Sequence, residues 1–262
     1  MMPLLLEPAF DFFPGTAPLL ISIPHAGTFV PREHRAHLTE EAAALPDTDW
    51  HVPLLYGFAR EMGASLLVAR YARLVIDLNR GADDAPLYAG PMTGLFSDTL
   101  FDGSPCYRQP VPEDWRSLYM QQIWLPYHTR LRRELEWMRS EFGRARLLDA
   151  HSIRSVIPRL FSGELPHLNL GTNDGRSANA ALVEDITGLL FSSAFSVVRD
   201  ARFKGGYITR QYGQPSEGIE AVQLEIAQRA YMDEATPGKF DPRRAEVLGP
   251  LLHRLVARLL AP

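Results

Sequence analysis

The stretch RARLLDAHSIRS (residues 144–155) ends a short apolar run, Leu147-Leu148, with Asp149, His151 and Arg154. Taken alone, this cluster fits a hydrogen-bonded histidine and a solvated arginine at a strand end as well as it fits a functional site. Similar apolar runs recur along the chain, at residues 18–24, 65–71, 73–79, 195–198 and 221–227. Segments with apolar residues at helical spacing lie between and after these runs. They are residues 47–63, 113–140 and 176–190 and the C-terminal segment. Strands that are apolar on both faces and alternate with helices predict an α/β fold whose mixed, mainly parallel sheet is covered on both sides.

Composition and charge narrow the class of protein. The chain has 262 residues, of which 46% are apolar and 22% charged, and we expect one domain over residues 1–262. A net charge of −4 offers no basic field for a nucleic acid, and no apolar run approaches the roughly 18 residues that span a bilayer. The N-terminal stretch MMPLLLEPAFDFFPG lacks the positive charge of a signal peptide, and the single Cys106 cannot form an internal disulfide. These features predict a cytoplasmic protein with no membrane or nucleic-acid partner, and they leave its oligomeric state open.

Polar residues that could bind a ligand or transfer a proton follow several of the apolar runs. In α/β sheets, ligands bind beyond the carboxyl ends of the strands. The residues at those positions are His25, Asn79, Arg80, Asp149 and His151, and Glu225 lies inside the last run. Each has an ordinary structural explanation, such as a satisfied histidine, a surface ion pair, a helix cap or a solvent-facing edge. Their common placement favours one shared site.

Two imidazoles and a carboxylate are a common catalytic zinc set, which leaves one position open for water. His25 and His151 supply the imidazoles, and the nearest carboxylates for the third ligand are Asp49 and Asp47. Asp49 is also a plausible N-cap of the helix that follows it. Asp149 precedes His151 by two residues, so in an extended chain it faces the same way and can orient the imidazole.

The remaining polar groups suit the handling of an anionic substrate. Apolar neighbours should raise the pKa of Glu225 towards the range of a general base. Cationic side chains that can bind carboxylates follow strands or lie in a predicted glycine-rich loop at residues 200–218: Arg80, Arg154, Arg202, Lys204 and Arg210. The long polar segment 81–112 is a second loop, which in a compact domain is often functional and here could close over a substrate.

Seven blocks of the sequence, spread over roughly residues 18–235, resemble N-formylglutamate amidohydrolases. They are SIPHAG (22–27), DTDWH (47–51), RLVIDLNR (73–80), DAHSIRS (149–155), NLGTNDG (169–175), RFKGGYITRQYG (202–213) and AVQLEIAQ (221–228). The resemblance implies hydrolysis of N-formyl-L-glutamate to formate and L-glutamate, in a branch of histidine degradation. Relatives of this family are zinc-dependent carboxypeptidases and aspartoacylase-like deacylases, which implies the zinc-exopeptidase three-layer α/β/α sandwich.

The resemblance also implies roles for individual residues. It makes His25 and His151 zinc ligands, Glu225 the general base, and Asn79 and Arg80 substrate contacts. We expect Arg154 and Arg210 to be further substrate contacts. Exopeptidases usually take an acidic ligand three residues after the first histidine, where this chain has Thr28. More distant family members keep an aspartate at the start of the following helix, which favours Asp49 over Asp47 as the third ligand.

Three other functions fit the same residues. A deacylase for a different acidic N-acyl amino acid would need the same metal and arginines. A non-catalytic carboxylate-binding protein would need no metal. An Fe(II) oxygenase also uses two histidines and a carboxylate, but such sites usually lie in all-β barrels.

Overall fold

A seven-stranded sheet forms the centre of the computed structural model, which describes residues 7–87 and 92–262. The strands are β1 (Phe10–Phe13), β2 (Leu19–Ile23), β3 (Ser65–Ala69), β4 (Ala145–Ile153), β5 (Leu168–Gly171), β6 (Val197–Arg199) and β7 (Ile219–Ala227). Their spatial order is β1-β3-β2-β4-β7-β5-β6. The central strands β3, β2, β4 and β7 are parallel, whereas β1 pairs antiparallel to β3 and β5 antiparallel to β7. The predicted mixed, mainly parallel sheet is therefore confirmed.

Helices cover both faces of this sheet. They are α1 (Arg32–Arg35), α2 (Glu40–Ala43), α3 (Val52–Tyr56), α4 (Glu113–Tyr119), α5 (Leu125–Phe142), α6 (Ala180–Phe191), α7 (Tyr207–Tyr212) and α8 (Pro242–Leu260). One apolar core joins one face of the sheet to α3, α6 and α8, and a second core joins the other face to α4 and α5. Because both faces are covered, every residue of β4 and β7 is buried. This is the predicted α/β/α sandwich.

The final helix forms as its sequence pattern predicts. Leu248, Leu252, Leu255 and Leu259 recur at helical spacing and are all buried against the sheet. The Asp241 side chain accepts hydrogen bonds from two backbone N–H groups of the first turn, so it caps the helix. Within residues 7–87 and 92–262, no helix combines the length and the apolar character needed to cross a bilayer.

The predicted strand over residues 73–79 does not form. Strand β3 already has β1 on one side and β2 on the other, so this segment has no free sheet edge beside it. It turns instead: the backbone N–H of Val75 donates to Ala72, and that of Asn79 donates to the Asp77 side chain. Its apolar side chains are buried all the same, which explains why the run looked like a strand.

The predicted helix over residues 47–63 is shorter than expected, and Asp49 does not cap it. Helix α3 begins at Val52, and the residue before it is His51, which adopts a left-handed conformation and makes no capping bond. A 3₁₀ turn over Gly57–Arg60 follows the helix. The prediction that Asp49 caps this helix is wrong, because the Asp49 side chain contacts His151 and the Ser152 backbone instead.

The helical segment 113–140 is continuous through Pro126, where a break or a kink would be expected. A π turn over Met120–Trp124 joins α4 to α5, and the proline then lies in the first turn of α5. The wider turn accommodates the missing proline N–H without ending the helix.

The two predicted glycine-rich loops differ from one another. Segment 200–218 contains the short helix α7, whereas the described part of 81–112 has no helix or strand. Residues 88–91 of that second loop lie outside the described residues, as do the first six residues of the chain. Strands β1 and β5, each four residues long, were not predicted.

Candidate metal centre and active site

Three buried side chains from separate segments meet at the carboxyl end of the central strands. They are His25, just after β2, His151, in β4, and Asp49, in the segment before α3. Strands β2 and β4 are neighbours, which brings the two imidazole rings to 4.8 Å between centroids. The backbone N–H of Asp49 donates to the His25 carbonyl, which holds this segment beside the sheet. One ligand atom from each of the three residues lies within 4.8 Å of the other two, so the cluster could hold a metal ion.

The His25 ring is oriented by a carboxylate behind it. Its Nε2 lies 2.7 Å from Asp77 Oδ1, so Nε2 carries the proton and Nδ1 faces Asp49 Oδ2 at 3.8 Å. Burial, together with the nearby Arg73 guanidinium, lowers the pKa of His25. The ring is therefore neutral, which is the form that binds metals.

Asp77 itself stays ionised through its contacts with His25 and Arg73. Its Oδ2 accepts a hydrogen bond from Arg73 Nη2 at 2.7 Å. Burial alone would raise the pKa of Asp77, but His25 and Arg73 outweigh it and hold that pKa well below its usual range. A carboxylate that orients a histidine in this way raises the basicity of the nitrogen on the far side.

His151 lies between two carboxylates. Its Nδ1 is 3.0 Å from Asp49 Oδ2, and its Nε2 is 3.0 Å from Asp149 Oδ1. Burial would lower the pKa of His151, but Asp149 and Asp49 raise it well above its usual value. The buried Asp149 Oδ1 has no hydrogen-bond partner of its own, so it is available to a proton on Nε2. The two carboxylates that stabilise a proton on this ring would equally stabilise a metal ion bound at Nδ1.

Asp47, the alternative third ligand, points away from the two histidines. Its Oδ2 accepts a hydrogen bond from the Phe101 backbone at 2.8 Å, and its Oδ1 accepts one from Arg154 at 3.2 Å. Asp49 Oδ2, in contrast, faces His151 and accepts from the Ser152 backbone at 3.2 Å. The geometry thus favours Asp49 for the metal cluster.

Glu225 lies in β7 directly opposite His151 of β4. It is only 7% exposed, and burial raises its pKa to about 8, although the positive charge of His151 opposes this shift. The Gln223 amide lies on the same side of β7 and donates to Glu225 Oε2 at 3.4 Å. A carboxyl group with a pKa near neutrality is suited to accept and return a proton.

These groups open into a cleft of about 70 Å³. Its lining includes His25, Arg73, Asn79, Arg80, Met92, Thr93, Phe101, His151, Ser152, Ile153, Leu160, Arg202, Phe203, Gly206, Gln223 and Glu225. Three of these residues are arginines. Arg80 is held by its Nε, which donates to the Thr93 carbonyl at 2.8 Å, and by its Nη1, which donates to the Asn79 carbonyl at 2.9 Å.

Some predicted substrate contacts lie elsewhere or are already engaged. Arg154 pairs with Asp47, Arg210 Nε donates to the Gly205 carbonyl at 2.8 Å, and neither arginine is among the residues that line the cleft. Asn79 does line it, but its side-chain amide contacts other protein groups.

Sequence reasoning missed the roles of Arg73, Asp77 and Gln223. Arg73 lies in the cleft, where its Nη1 is 3.1 Å from His25 Nδ1 and its guanidinium covers the Phe101 ring. The spacing of four residues between Arg73 and Asp77 was a usable signal, but it was hidden by the strand expected there. Gln223 precedes Glu225 by two residues, so strand alternation alone could have placed it in the cleft.

Comparison with known proteins identifies the family. The family model for N-formylglutamate amidohydrolase matches residues 17–232. The chain belongs to the N-formylglutamate amidohydrolase family.

Two members of this family are similar over almost their whole length. The N-formylglutamate deformylase of Pseudomonas putida is 50% identical over 260 residues, which cover 98% of this chain and 97% of that protein. The N-formylglutamate deformylase of Pseudomonas aeruginosa is 49% identical with the same coverage. The crystal structure of N-formylglutamate amidohydrolase from Ralstonia eutropha JMP134 superposes with a TM-score of 0.83 at 24% identity, covering 97% of this chain and 99% of that one. The chain is therefore a hydrolase that acts on an amide, with the fold of this family.

Proposed function

We propose that this protein hydrolyses N-formyl-L-glutamate to formate and L-glutamate in a metal-dependent reaction. The observation that carries the proposal is that Glu225 lies opposite His151 in the same cleft as the His25, Asp49 and His151 cluster. The two Pseudomonas relatives, each named for this activity and about half identical in sequence, support the choice of substrate. We take residues 1–262 as one catalytic unit.

The donor set suits zinc. Two imidazole nitrogens and one carboxylate oxygen form a three-ligand catalytic set with an open fourth position, and Asp77 and Asp149 support the two imidazoles. When bound, a zinc ion would polarise the formyl carbonyl and lower the pKa of water at the site. We propose His25 Nδ1, His151 Nδ1 and an Asp49 oxygen as its ligands.

Glu225 would transfer the protons of the reaction. Its carboxylate takes a proton from the attacking water while the water oxygen bonds to the formyl carbon. When the carbon–nitrogen bond breaks, the same carboxyl group returns the proton to the departing amine of glutamate. Burial supports both steps, because it raises the pKa of Glu225 to about 8 and so makes the carboxylate a stronger base.

Cationic residues of the cleft would bind the two carboxylates of the substrate. Arg80 is the leading candidate, since its guanidinium lines the cleft and is held by two backbone carbonyls. Arg73 and Arg202 also line the cleft and add positive potential. The contacts predicted for Arg154 and Arg210 stay predictions, and neither residue lines the cleft in this structure.

The biological setting follows from the proposed reaction. We propose that a small anionic amino-acid derivative is the partner, in the formate-releasing step of a histidine degradation branch. The single cysteine, Cys106, is buried and free, which supports a reducing cytoplasmic location.

The decisive experiment is to measure formate release by the purified protein after metal removal and again after zinc is restored. We expect little activity on N-formyl-L-glutamate without metal, and full activity at about one zinc per chain. N-acetyl-L-aspartate, tested alongside by release of L-aspartate, should be a poor substrate. Equal rates with and without metal would contradict the metal-dependent mechanism, and preference for N-acetyl-L-aspartate would favour a different acidic acyl amino acid. Tight substrate binding with no turnover would indicate a carboxylate-binding protein.

A further inference from the structure

The side chain of Asn79 is buried beside the candidate metal ligands, and its amide is already committed to other protein groups. Its Oδ1 accepts a hydrogen bond from the backbone N–H of Ile208 at 2.8 Å. That N–H needs an acceptor, so it determines which way the amide points. The Asn79 NH₂ group therefore donates to Asp149 Oδ2 at 3.0 Å, and its nitrogen lies 2.8 Å from His151 Nε2.

The glycine-rich turn before α7 packs directly on this amide. A Cβ added to Gly206 would lie 2.3 Å from Asn79 Nδ2 and 2.6 Å from its Oδ1, which is far inside normal contact distance. The backbone N–H of Gly206 also donates to Gln223 Oε1 at 2.7 Å, and Gln223 in turn donates to Glu225. Asn79 is thus enclosed between the metal cluster and the turn that faces the proposed base.

Contact with a substrate would disrupt this arrangement. A substrate carboxylate could receive the N–H that Asn79 donates to Asp149 only if the amide left this buried carboxylate. Asp149 would then lose the donor on Oδ2 while its Oδ1 still faces His151 Nε2. Buried polar groups that lose a partner are costly, so this exchange is unfavourable.

We propose that Asn79 is a positioning residue for the metal centre and not a substrate contact. It holds the Asp149 carboxylate by Oδ2, which leaves Oδ1 directed at His151 Nε2, and it anchors the turn at Gly206 and Ile208. This inference rests on the proposed metal-dependent function, because its effect is exerted through a metal ligand.

The test measures zinc affinity and steady-state kinetics separately for Asn79→Ser, Gly206→Ala and Arg80→Lys. Zinc affinity is measured by competition with a chromophoric chelator, and kcat and KM by formate release from N-formyl-L-glutamate at saturating zinc. Loss of a group that orients a metal ligand typically weakens metal binding about 10–100-fold. We expect a loss in this range for Asn79→Ser, with a lower kcat and a KM within a few-fold of wild type.

Gly206→Ala gives an independent test, because its new methyl group pushes on the Asn79 amide while leaving Asn79 in place. It should weaken zinc binding in the same direction. Arg80→Lys is the comparison variant, and it should raise KM with unchanged zinc affinity.

Three outcomes would overturn the inference. An Asn79→Ser protein with wild-type zinc affinity and a strongly raised KM would make Asn79 a substrate contact. A variant whose only change is a lower melting temperature would make Asn79 merely structural. Wild-type protein that binds no zinc would overturn the proposed function itself, whereas zinc-binding wild type with unchanged variants overturns only the role of Asn79.

Discussion

His151 of β4 and Glu225 of β7 are direct partners in the parallel register of the two central strands. Side chains of paired residues in adjacent strands point to the same face of the sheet, so one strand supplies a candidate metal ligand and the next supplies the proposed base. Two residues earlier, Asp149 and Gln223 form the equivalent pair on the same face. The relative position of these four side chains is therefore set by the hydrogen bonds of the sheet rather than by a mobile loop.

Loss of either histidine should remove the metal. In His25→Ala and His151→Ala, we expect zinc affinity to fall by more than the roughly 10–100-fold typical of a supporting residue, and formate release to be lost. Metal analysis of the purified variants together with a formate assay checks this. His253→Ala is the matched control, since His253 is exposed and stacks on Phe58 at 3.5 Å between centroids. Full zinc occupancy and normal turnover in either cluster variant would show that the residue is no ligand.

Substitution of the two aspartates should separate the alternative third ligands. Asp49→Asn should lose zinc, because a neutral amide is a poor substitute for the carboxylate that faces both histidines. Asp47→Asn should keep zinc, because its carboxylate bonds Phe101 and Arg154 instead. Calorimetric zinc titration of both variants is the measurement, and the reverse order of affinities would transfer the ligand role to Asp47.

Arg80→Lys should weaken substrate binding although the charge is kept. Lysine cannot reproduce the planar guanidinium that bonds two backbone carbonyls while it faces the cleft. A hydrogen bond to a charged group is worth about 1.5–3 kcal/mol, so KM should rise roughly 10–100-fold with little change in kcat. Arg176→Lys on the surface should have no effect, and Arg154→Lys should have less effect than Arg80→Lys. An unchanged KM for Arg80→Lys would remove Arg80 from the substrate site.

Much of the fold was predictable because burial on both faces leaves a clear sequence pattern. The runs at 18–24 and 65–71 contain β2 and β3, and the run at 221–227 forms all of β7 except its first two residues. Position after an apolar run also identified His25, which lies two residues after the end of β2. His151, in contrast, lies inside β4, which extends to Ile153 because it pairs with β7 along its whole length.

The parts of the site that sequence reasoning missed depend on a turn and not on a strand. In an extended strand, residues four apart would be separated by about 13 Å, so Arg73 and Asp77 would not meet. The observed turn brings Arg73 Nη2 to 2.7 Å from Asp77 Oδ2. Whether an apolar run joins a sheet depends on which edges other strands already occupy, and that is a property of the whole topology. The same holds for Asp49, where contact with distant His25 and Ser152 prevailed over local capping.

The buried Glu225 should make the stability of the metal-free protein depend on pH. Its pKa in the folded state is raised to about 8 from an ordinary value of 4.5, so folding favours the protonated form. The free energy of unfolding should therefore fall as pH rises from about 4.5 to about 8, and this penalty is absent below that range. Glu225→Gln removes the charge, so its melting temperature should exceed that of wild type by a margin that grows over this interval. Parallel melting curves of chelator-treated proteins test this, and a constant margin would mean that Glu225 does not titrate there.

The kinetics of Glu225→Gln test the chemical role of this residue directly. Glutamine keeps the shape of the side chain and one acceptor oxygen, but it cannot take a proton from water. General-base catalysis typically contributes about 10²–10⁴-fold, so kcat should fall by at least roughly a hundredfold. Zinc content and substrate binding should stay near wild type, because Glu225 is neither a proposed ligand nor a substrate contact.

A second glutamate of the same strand provides the control for this experiment. Glu220 lies in β7 as well, but its carboxylate pairs with Arg146 and accepts from the Asn179 backbone, both at 3.0 Å. Glu220→Gln should therefore lower the melting temperature and leave kcat unchanged, which is the opposite of the pattern expected for Glu225→Gln. Turnover of Glu225→Gln within a few-fold of wild type would exclude Glu225 as the base. If that variant instead lost its zinc, the Glu225 carboxylate would be a metal ligand.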